Sequence, residues 1–493
     1  MTTSTKNQDP ITVTGGPPRA RLGAWAQYGL LAGPLLSMLD ASIVNVAVAP
    51  IARQLHAPLT QVGWAVSGYL LALGVGLTAT SWLARRFGTL PVYTASVLGF
   101  TLASAGCAAA PDVRLLIAAR LGQGLAGAPL VPLAMSMLLG GGRGARIVSP
   151  VAGMLLFLAP ALGPTAGGGL IAAFGWRSVF LINVPVGLAA AIAARHIHPQ
   201  RAPGRAPTAP LDAAGLVLLA AGLTGVLLGA SQGSATGWAR PASWAPLAAG
   251  ALLLAGYAAR AARHPHPVLD LALLRRRTPA LGMALCAFAS VVTFAAVFIL
   301  PVFTQAVQGH SAAATGLALL PQGIITGLGT VAGQRLLTRL SIRATVTAGF
   351  TVLTAASLGL LAITAATPLA VTAAILAGRA AAIGLVITPL LDAITGTLHL
   401  AELADANTVF NICQRIAGAL GIGLITALFT ASAQAHGPVA ALHTTGLLLT
   451  GIAAIAAGAA TLLPGRDTRP SRGSSPPRRP GGRFGPPDTE GSR

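Results

Sequence analysis

One carboxylate stands in the middle of an apolar run. The segment Leu36–Val46 reads Leu-Ser-Met-Leu-Asp-Ala-Ser-Ile-Val-Asn-Val, and the run around it extends from Gly23 to Ile51. A carboxylate at bilayer depth costs roughly 2.5–3.5 kcal/mol on insertion scales, so Asp40 is expected to face a bundle interior or a wet cavity. There it can take up and release a proton, or it can be a structural acid bonded to a neighbouring helix. Asn45, further along the same run, is a candidate cavity-lining residue.

An arginine stands in a comparable place. The fourth apolar run contains Arg120-Leu-Gly-Gln123-Gly124-Leu-Ala-Gly127-Ala-Pro129. Inside a span, Arg120 must find a counter-charge or face water, and Asp40 is the obvious partner. Burial favours the neutral acid and a neighbouring guanidinium favours the carboxylate. A group under both influences is suited to switching as a cavity opens and closes. The alternative is an Arg120 close enough to a membrane surface to snorkel.

The fifth run reads Pro160-Ala-Leu-Gly163-Pro164-Thr-Ala-Gly167-Gly168-Gly169. Gly163 and Gly167 permit close approach of another helix, and a proline removes a backbone hydrogen bond and favours a bend. Other polar residues are scattered. Gln123, Gln305, Gln322, Asn411 and Gln414 are candidates for a cavity wall or for bonds between helices. Asp392 is placed at the cytoplasmic end of its run as a surface acid, and Arg379, mid-run, has no evident partner. The pairs His196/His198 and His264/His266 fall in connectors without further ligands, so no metal site is expected. No phosphate-cradling Gly-Lys-Ser/Thr loop occurs, which excludes an ATP-driven pump on this chain alone. A membrane enzyme would need nucleophile, base or metal ligands converging at one depth, and only isolated polar residues are found.

The elements that must position these side chains are membrane helices. Hydrophobic residues make up 54% of the 493 and charged ones only 9%, against about 25% in a soluble domain. The net charge of +21 sits in short gaps and in the tail, the pattern of membrane topology and not of nucleic-acid binding. Cys107, Cys286 and Cys413 lie in apolar runs at neither disulfide nor metal spacing and are expected to pack as small residues. A span needs about 20 apolar residues, and fourteen runs of that kind are predicted. Six occupy residues 23–194, two more (Ala213–Ser231 and Ala242–Ala262) lie within 195–279, and six occupy 280–463. Residues 1–22 and 464–493 are expected to be disordered tails.

Arginines mark the cytoplasmic gaps. Alternate gaps hold Arg85 and Arg86, Arg143 and Arg146, Arg195 to Arg205, Arg263 to Arg277, and Arg335 to Arg343. Both tails are basic too, so both termini are expected in the cytoplasm, which requires an even number of spans. A faint repeat relates Leu83-Ala84-Arg85-Arg86-Phe87-Gly88 to Leu336-Leu337-Thr338-Arg339-Leu340-Ser341, each joining the second and third helix of a six-helix set. Two related halves with a site between them is a common transporter plan.

In these motifs the chain resembles the drug:proton antiporters of the major facilitator superfamily, in the fourteen-helix branch. The first span is similar to that family's Leu-Asp-x-Thr-Ile-Val-Asn-Val-Ala-Leu-Pro pattern, here Leu39 to Pro50 with Ser42 in the Thr place. Arg120, Gln123 and Gly124 match its fourth-helix Arg-x-x-Gln-Gly, and Gly163-Pro164 with Gly167-Gly168 matches its antiport signature. The stretch Trp176 to Gly187 resembles Trp-Arg-Trp-x-Phe-x-Ile-Asn-Val-Pro-x-Gly. Asp212, Leu269-Asp270-Leu271, and Asn411 with Gln414-Arg415 and Gly418 are further echoes. The likeness runs from Leu36 to about Gly421. The loop after the second span departs from the family: Arg85 stands in the place of the Asp thought to hold the cytoplasmic gate, while Arg86 and Gly88 are kept.

The resemblance implies an all-α polytopic protein of the major facilitator fold, two six-helix halves with two extra central helices. It implies a proton-coupled exporter of hydrophobic or cationic drugs, antibiotics or toxic metabolites in a bacterial plasma membrane. Asp40 and Arg120 would couple protons, Gly163–Gly169 would be a hinge, and Arg85, Arg86 and Gly88 would form the gating loop. The proton motive force would stand in for any cofactor. Protons, small substrates and lipid would be its partners, with no nucleic acid, and a monomer would suffice. An exporter of one endogenous metabolite, or a non-transporting membrane sensor, is the alternative.

Overall fold

The computed structural model describes residues 24–139, 150–195, 210–236, 240–265, 267–268, 274–396 and 403–465. His196, His198, His266, Asp270 and residues 1–23 and 466–493 lie outside them. Among the described residues every regular element is helical. The N-terminal half comprises α1 (Ala24–Gln54), α2 (Leu59–Phe87), α3 (Thr89–Ala109), α4 (Val113–Gly127), α5 (Leu130–Leu139), α6 (Pro150–Phe174), α7 (Ser178–Leu181) and α8 (Asn183–Ala194). A hairpin of α9 (Ala213–Thr236) and α10 (Pro241–Ala261) follows. The C-terminal half comprises α11 (Arg277–Ala306), α12 (Ala312–Arg339), α13 (Ile342–Leu358), α14 (Leu369–Thr395), α15 (Leu403–His436) and α16 (Pro438–Ala460).

Two of the predicted runs are broken. The fourth divides into α4 and α5 around Ala128-Pro129, where proline has no N–H to continue the ladder. The sixth divides at Ile182 into the short α7 and α8. Eleven helices among the described residues are long and apolar enough to cross a membrane. The outer faces carry exposed Leu102, Val217, Leu252, Leu328 and Ile455, a surface suited to lipid.

Local chemistry sets the helix ends. Asp112 caps α4 by accepting from the backbone N–H groups of Arg114 (2.8 Å) and Leu115 (2.9 Å). Ser311 and Ser341 cap α12 and α13 through the N–H groups of Ala314 and Ala344. Gly88, at φ +93°, turns the chain between α2 and α3, a conformation that L side chains rarely adopt. Arg85 and Arg86 are exposed beside it. This end of the bundle, which also holds the α12–α13 turn, is the basic end.

The halves meet along two seams, α2 with α15 and α6 with α12, and α1 also touches α11. Small residues make the approach possible. A Cβ on Gly168 of α6 would strike the Ala312 carbonyl, and one on Gly316 of α12 would strike the Pro164 carbonyl. Thr165 donates to the Gly316 carbonyl (2.9 Å) and Gln305 to the Val46 carbonyl (3.0 Å). All four positions lie toward the end opposite the basic one, so the halves are joined there. The α9–α10 pair lies against α2 and α15, with Leu227 on Gly423.

Candidate functional site

The polar residues of the N-terminal half converge on Asp40. It comes from α1, Arg120 and Gln123 from one face of α4, Ser104 from α3 and Asn183 from the first turn of α8. Asp40, Arg120, Gln123 and Ser104 have no accessible surface. Arg120 Nη1 donates to Asp40 Oδ2, closing a salt bridge, and to Gln123 Oε1 at 2.7 Å. Arg120 Nε donates to the Ala65 carbonyl of α2 (2.9 Å). The other carboxylate oxygen, Asp40 Oδ1, accepts from Gln123 Nε2 (3.1 Å) and from Asn183 Nδ2 (2.9 Å).

Ser104 orients both amides. Its hydroxyl donates to the Phe180 carbonyl (2.9 Å), which leaves its lone pairs to accept from Gln123 Nε2 (3.1 Å) and Asn183 Nδ2 (3.0 Å). Each amide therefore presents nitrogen, not oxygen, to the acid. The guanidinium lies over the Tyr69 ring (4.1 Å to its centre) and near the Phe180 ring (5.6 Å), a cation–π setting that shields it from lipid. Tyr69 in turn reaches Ser37 on α1, its hydroxyl oxygen 3.2 Å from Ser37 Oγ. One donor, Arg120 Nη2, is buried with no partner in the protein. Chemically this is a single ionisable acid, held dry, with its charge matched by one fixed cation and two amides.

The break between α7 and α8 serves the site. It brings the α8 N-terminus and Asn183 into the bundle beside the Phe180 carbonyl that holds Ser104. Cys107 donates weakly to Gln123 Oε1 (3.6 Å) from the next turn of α3. It packs as a small buried residue.

The other expected site residues fall into three places. Pro164 and Gly168 line the α6–α12 seam, whereas Gly163 and Gly167 pack α6 on α1: a Cβ on Gly163 would strike Ser42, and one on Gly167 would lie 2.5 Å from the Ile43 side chain. The helix α6 runs unbroken through Pro164. Gln123 is corrected from cavity wall to direct partner of Asp40, since its position on α4 is one turn from Arg120 on the same buried face. Asn45 is buried and bonds back to its own helix, donating to the carbonyls of Ala41 (3.4 Å) and Ser42 (3.3 Å). Gln322 and Gln414 are half-buried, and Asn411 donates to the Asn407 carbonyl (2.8 Å). Arg379 finds neutral partners, the Ser357 hydroxyl and the Val292 carbonyl (2.9 Å), and Asp392 is exposed.

Asn183 and Ser104 were not anticipated as site residues. Asn183 left a signal, an amide within an apolar run, whereas a serine in a span has many ordinary uses and left none.

Comparison with known proteins fits this geometry. The sequence profile described as "Major Facilitator Superfamily" matches residues 30–422. The chain is 32% identical over 405 residues to a "Multidrug resistance protein B homolog" of Mycobacterium tuberculosis, covering 80% of this chain and 74% of that one. It is 31% identical over 434 residues to a "Methylenomycin A resistance protein" of Streptomyces coelicolor, covering 86% and 90%. In fold it is similar to the POT family transporter PepTSo (TM-score 0.63, 14% identity, 90% of this chain and 97% of that one). A D-xylose-proton symporter is similar too (TM-score 0.62, 14% identity, 89% and 96%). With this profile across most of its length and drug-resistance transporters among its relatives, the chain belongs to the Major Facilitator Superfamily.

Proposed function

We propose that the protein is a proton-coupled antiporter that exports small hydrophobic molecules, drugs or toxic metabolites among them, across a bacterial plasma membrane. One observation carries the reading. A fully buried acid is balanced by one arginine and two amides inside the N-terminal helix set, where a proton on it leaves the new O–H facing only donors. Asp40 is the proton-coupling carboxylate and Arg120 its charge partner. The basic end faces the cytoplasm, with both termini there, and fourteen crossings satisfy that parity. Residues 23–194 and 280–463 rock against each other, with 195–279 inserted between them, and the Gly163–Gly169 segment is the hinge. Arg85, Arg86 and Gly88 form the cytoplasmic gate loop, in which the usual acid is reversed in charge. The proton motive force supplies the energy, without a cofactor, and a monomer is the working unit.

Support comes from the joined end of the halves, which lies opposite the basic end as an inward-facing state requires. It comes also from the resistance and export functions in the relatives' names, one of them the "Tetracenomycin C resistance and export protein" of Streptomyces glaucescens.

The test is energised efflux of lipophilic dyes (ethidium and N-phenyl-1-naphthylamine) in inverted vesicles, with proton release recorded. The natural chain is expected to move at least one dye and release protons, and Asp40→Asn at equal expression to do neither. Removing one member of a buried pair costs about 3–5 kcal/mol, whereas removing both is often neutral. The double variant Asp40→Asn/Arg120→Gln therefore separates lost coupling from lost fold: it should be stably inserted and inactive. Undiminished proton-coupled efflux by the double variant would overturn the assignment. No dye movement by the natural chain would favour an exporter of a single metabolite.

A further inference from the structure

The charges well inside the helices are unequal. Among the described residues they are Asp40, Arg120, Arg379 and Arg415. Asp40 is consumed by Arg120 and has no accessible surface. It offers nothing to a cationic substrate in this state. Arg379 is held only by the neutral Ser357 hydroxyl and Val292 carbonyl. Arg415, on α15, takes part in none of the hydrogen bonds or ion pairs found among the described residues. Two guanidiniums well inside the helices thus have no counter-charge among the described residues.

Arg415 also stands between the two halves. Its Cβ lies 3.5 Å from where a Cβ on Gly74 of α2 would be, which puts it on the seam between the halves. Tyr69, on the same helix as Gly74 and stacked on Arg120, is within its electrostatic reach. The Arg415 side chain is half-buried and keeps accessible surface at this seam. Asn411 and Gln414 on the same stretch of α15 are half-buried too, and Ile412 and Ile416 flank the seam with apolar surface. An arginine is charged at any relevant pH, and its planar fork matches a carboxylate, sulfonate or phosphate.

We propose that Arg415 is a headgroup site on the seam between the halves, and that the cargo is an amphipathic anion, an acidic group on a hydrophobic body. Arg379, which likewise meets only neutral partners, adds to a positive balance that disfavours cations. This narrows the export reading above and rests on it for the direction of transport, but not for binding.

The experiment uses the full chain in lipid nanodiscs for binding and in inverted vesicles for transport. The probes are 8-anilinonaphthalene-1-sulfonate and N-phenyl-1-naphthylamine, the same aromatic body with and without the anion. The natural chain is expected to bind the sulfonate, above empty nanodiscs, more tightly than the naphthylamine. Arg415→Gln should weaken sulfonate binding at least tenfold and leave naphthylamine binding within twofold, and Arg415→Lys should recover part of the loss. Retained naphthylamine binding shows that the variant is folded. If Arg415→Gln affects both probes alike or neither, or if ethidium binds the natural chain more tightly than the sulfonate does, the proposal is overturned. If Arg415 governs sulfonate binding and neither probe is transported, the anion site stands and the multidrug export reading falls, leaving an exporter of a single metabolite.

Discussion

Every group that touches the Asp40 carboxylate is a donor. Arg120, Gln123 and Asn183 all offer N–H, so a protonated Asp40 has no acceptor for its new O–H. Gln123 is poorly placed to supply one, because its carbonyl oxygen already accepts from Arg120 Nη1 and Cys107. Asn183 is free of that commitment, and rotating its amide would present an oxygen to the acid. The rotation breaks its bond to Ser104, which retains Gln123 and the Phe180 carbonyl. In the proposed mechanism Asn183 therefore belongs to the coupling step as a positioning residue. Hydrogen bonds to charged groups contribute about 1.5–3 kcal/mol, so Asn183→Leu should slow proton-coupled efflux about tenfold or more. Asn183→Ser, whose hydroxyl both donates and accepts, should stay within about threefold. Initial efflux rates at equal expression, with proton release recorded in parallel, decide this. Equal losses in both variants would mean that the residue only fills space.

At the scale of elements, the α9–α10 hairpin shows how a two-helix insert is secured. Its helices cross closely at Gly222, Gly225, Gly229 and Gly250. At its base Asp212 accepts from the N–H of Gly215 (2.9 Å), capping α9, and from Arg260 Nε (2.8 Å) on α10. Burial pushes this carboxyl up, but the Gly215 N–H and the Arg260 guanidinium outweigh it and hold it below the usual aspartate value of 3.8. A carboxylate depressed on folding stabilises the protein above its unfolded value, and that contribution is lost as pH falls through the folded value. Unfolding of the purified protein should thus show an Asp212-dependent drop only below about pH 4. Asp212→Ala should remove about 1 kcal/mol at neutral pH through the lost cap alone, and should flatten the acid limb. Thermal unfolding across pH checks both. Because the Arg260 side chain is 38% exposed, the ion pair is screened and adds little beyond the cap.

The elements were legible in the sequence to different degrees. Long apolar runs give the helices directly, since lipid forces each backbone to satisfy itself. The Asp40–Arg120 pair was legible because each charge is costly alone. The breaks at Pro129 and Ile182 were not, because apolarity continues through both and only the backbone changes. Asn183 reaches Asp40 through the second break, so the same blind spot hid a site residue. The neutral partners of Arg379 were hidden for another reason: hydroxyls and carbonyls carry no pattern in a sequence.

At the scale of the molecule, the proposed export requires the two halves to part at one end and close at the other. The described seams, α6 with α12 and α2 with α15, join them at the end opposite the basic loops. Gly63, in the first turns of α2, and Thr426 of α15 face each other there: a Cβ on Gly63 would sit 3.5 Å from Thr426 Cγ2 and 3.8 Å from its Oγ1. These are ordinary packing distances, so a side chain at Gly63 is tolerated. Thr426 Oγ1, buried without a partner, loses nothing on replacement. Cysteines at both positions fall near the span that a disulfide bridges. The variant Gly63→Cys/Thr426→Cys should transport when reduced, stop when oxidised and recover on reduction, because rocking must open this seam. The natural chain, oxidised and reduced in parallel, is the control, because the Cys286 and Cys413 thiols neighbour each other. Transport that continues with the bridge shown by mass to be complete would mean that the seam is static. Cargo would then have to leave by another route than alternating exposure between the halves.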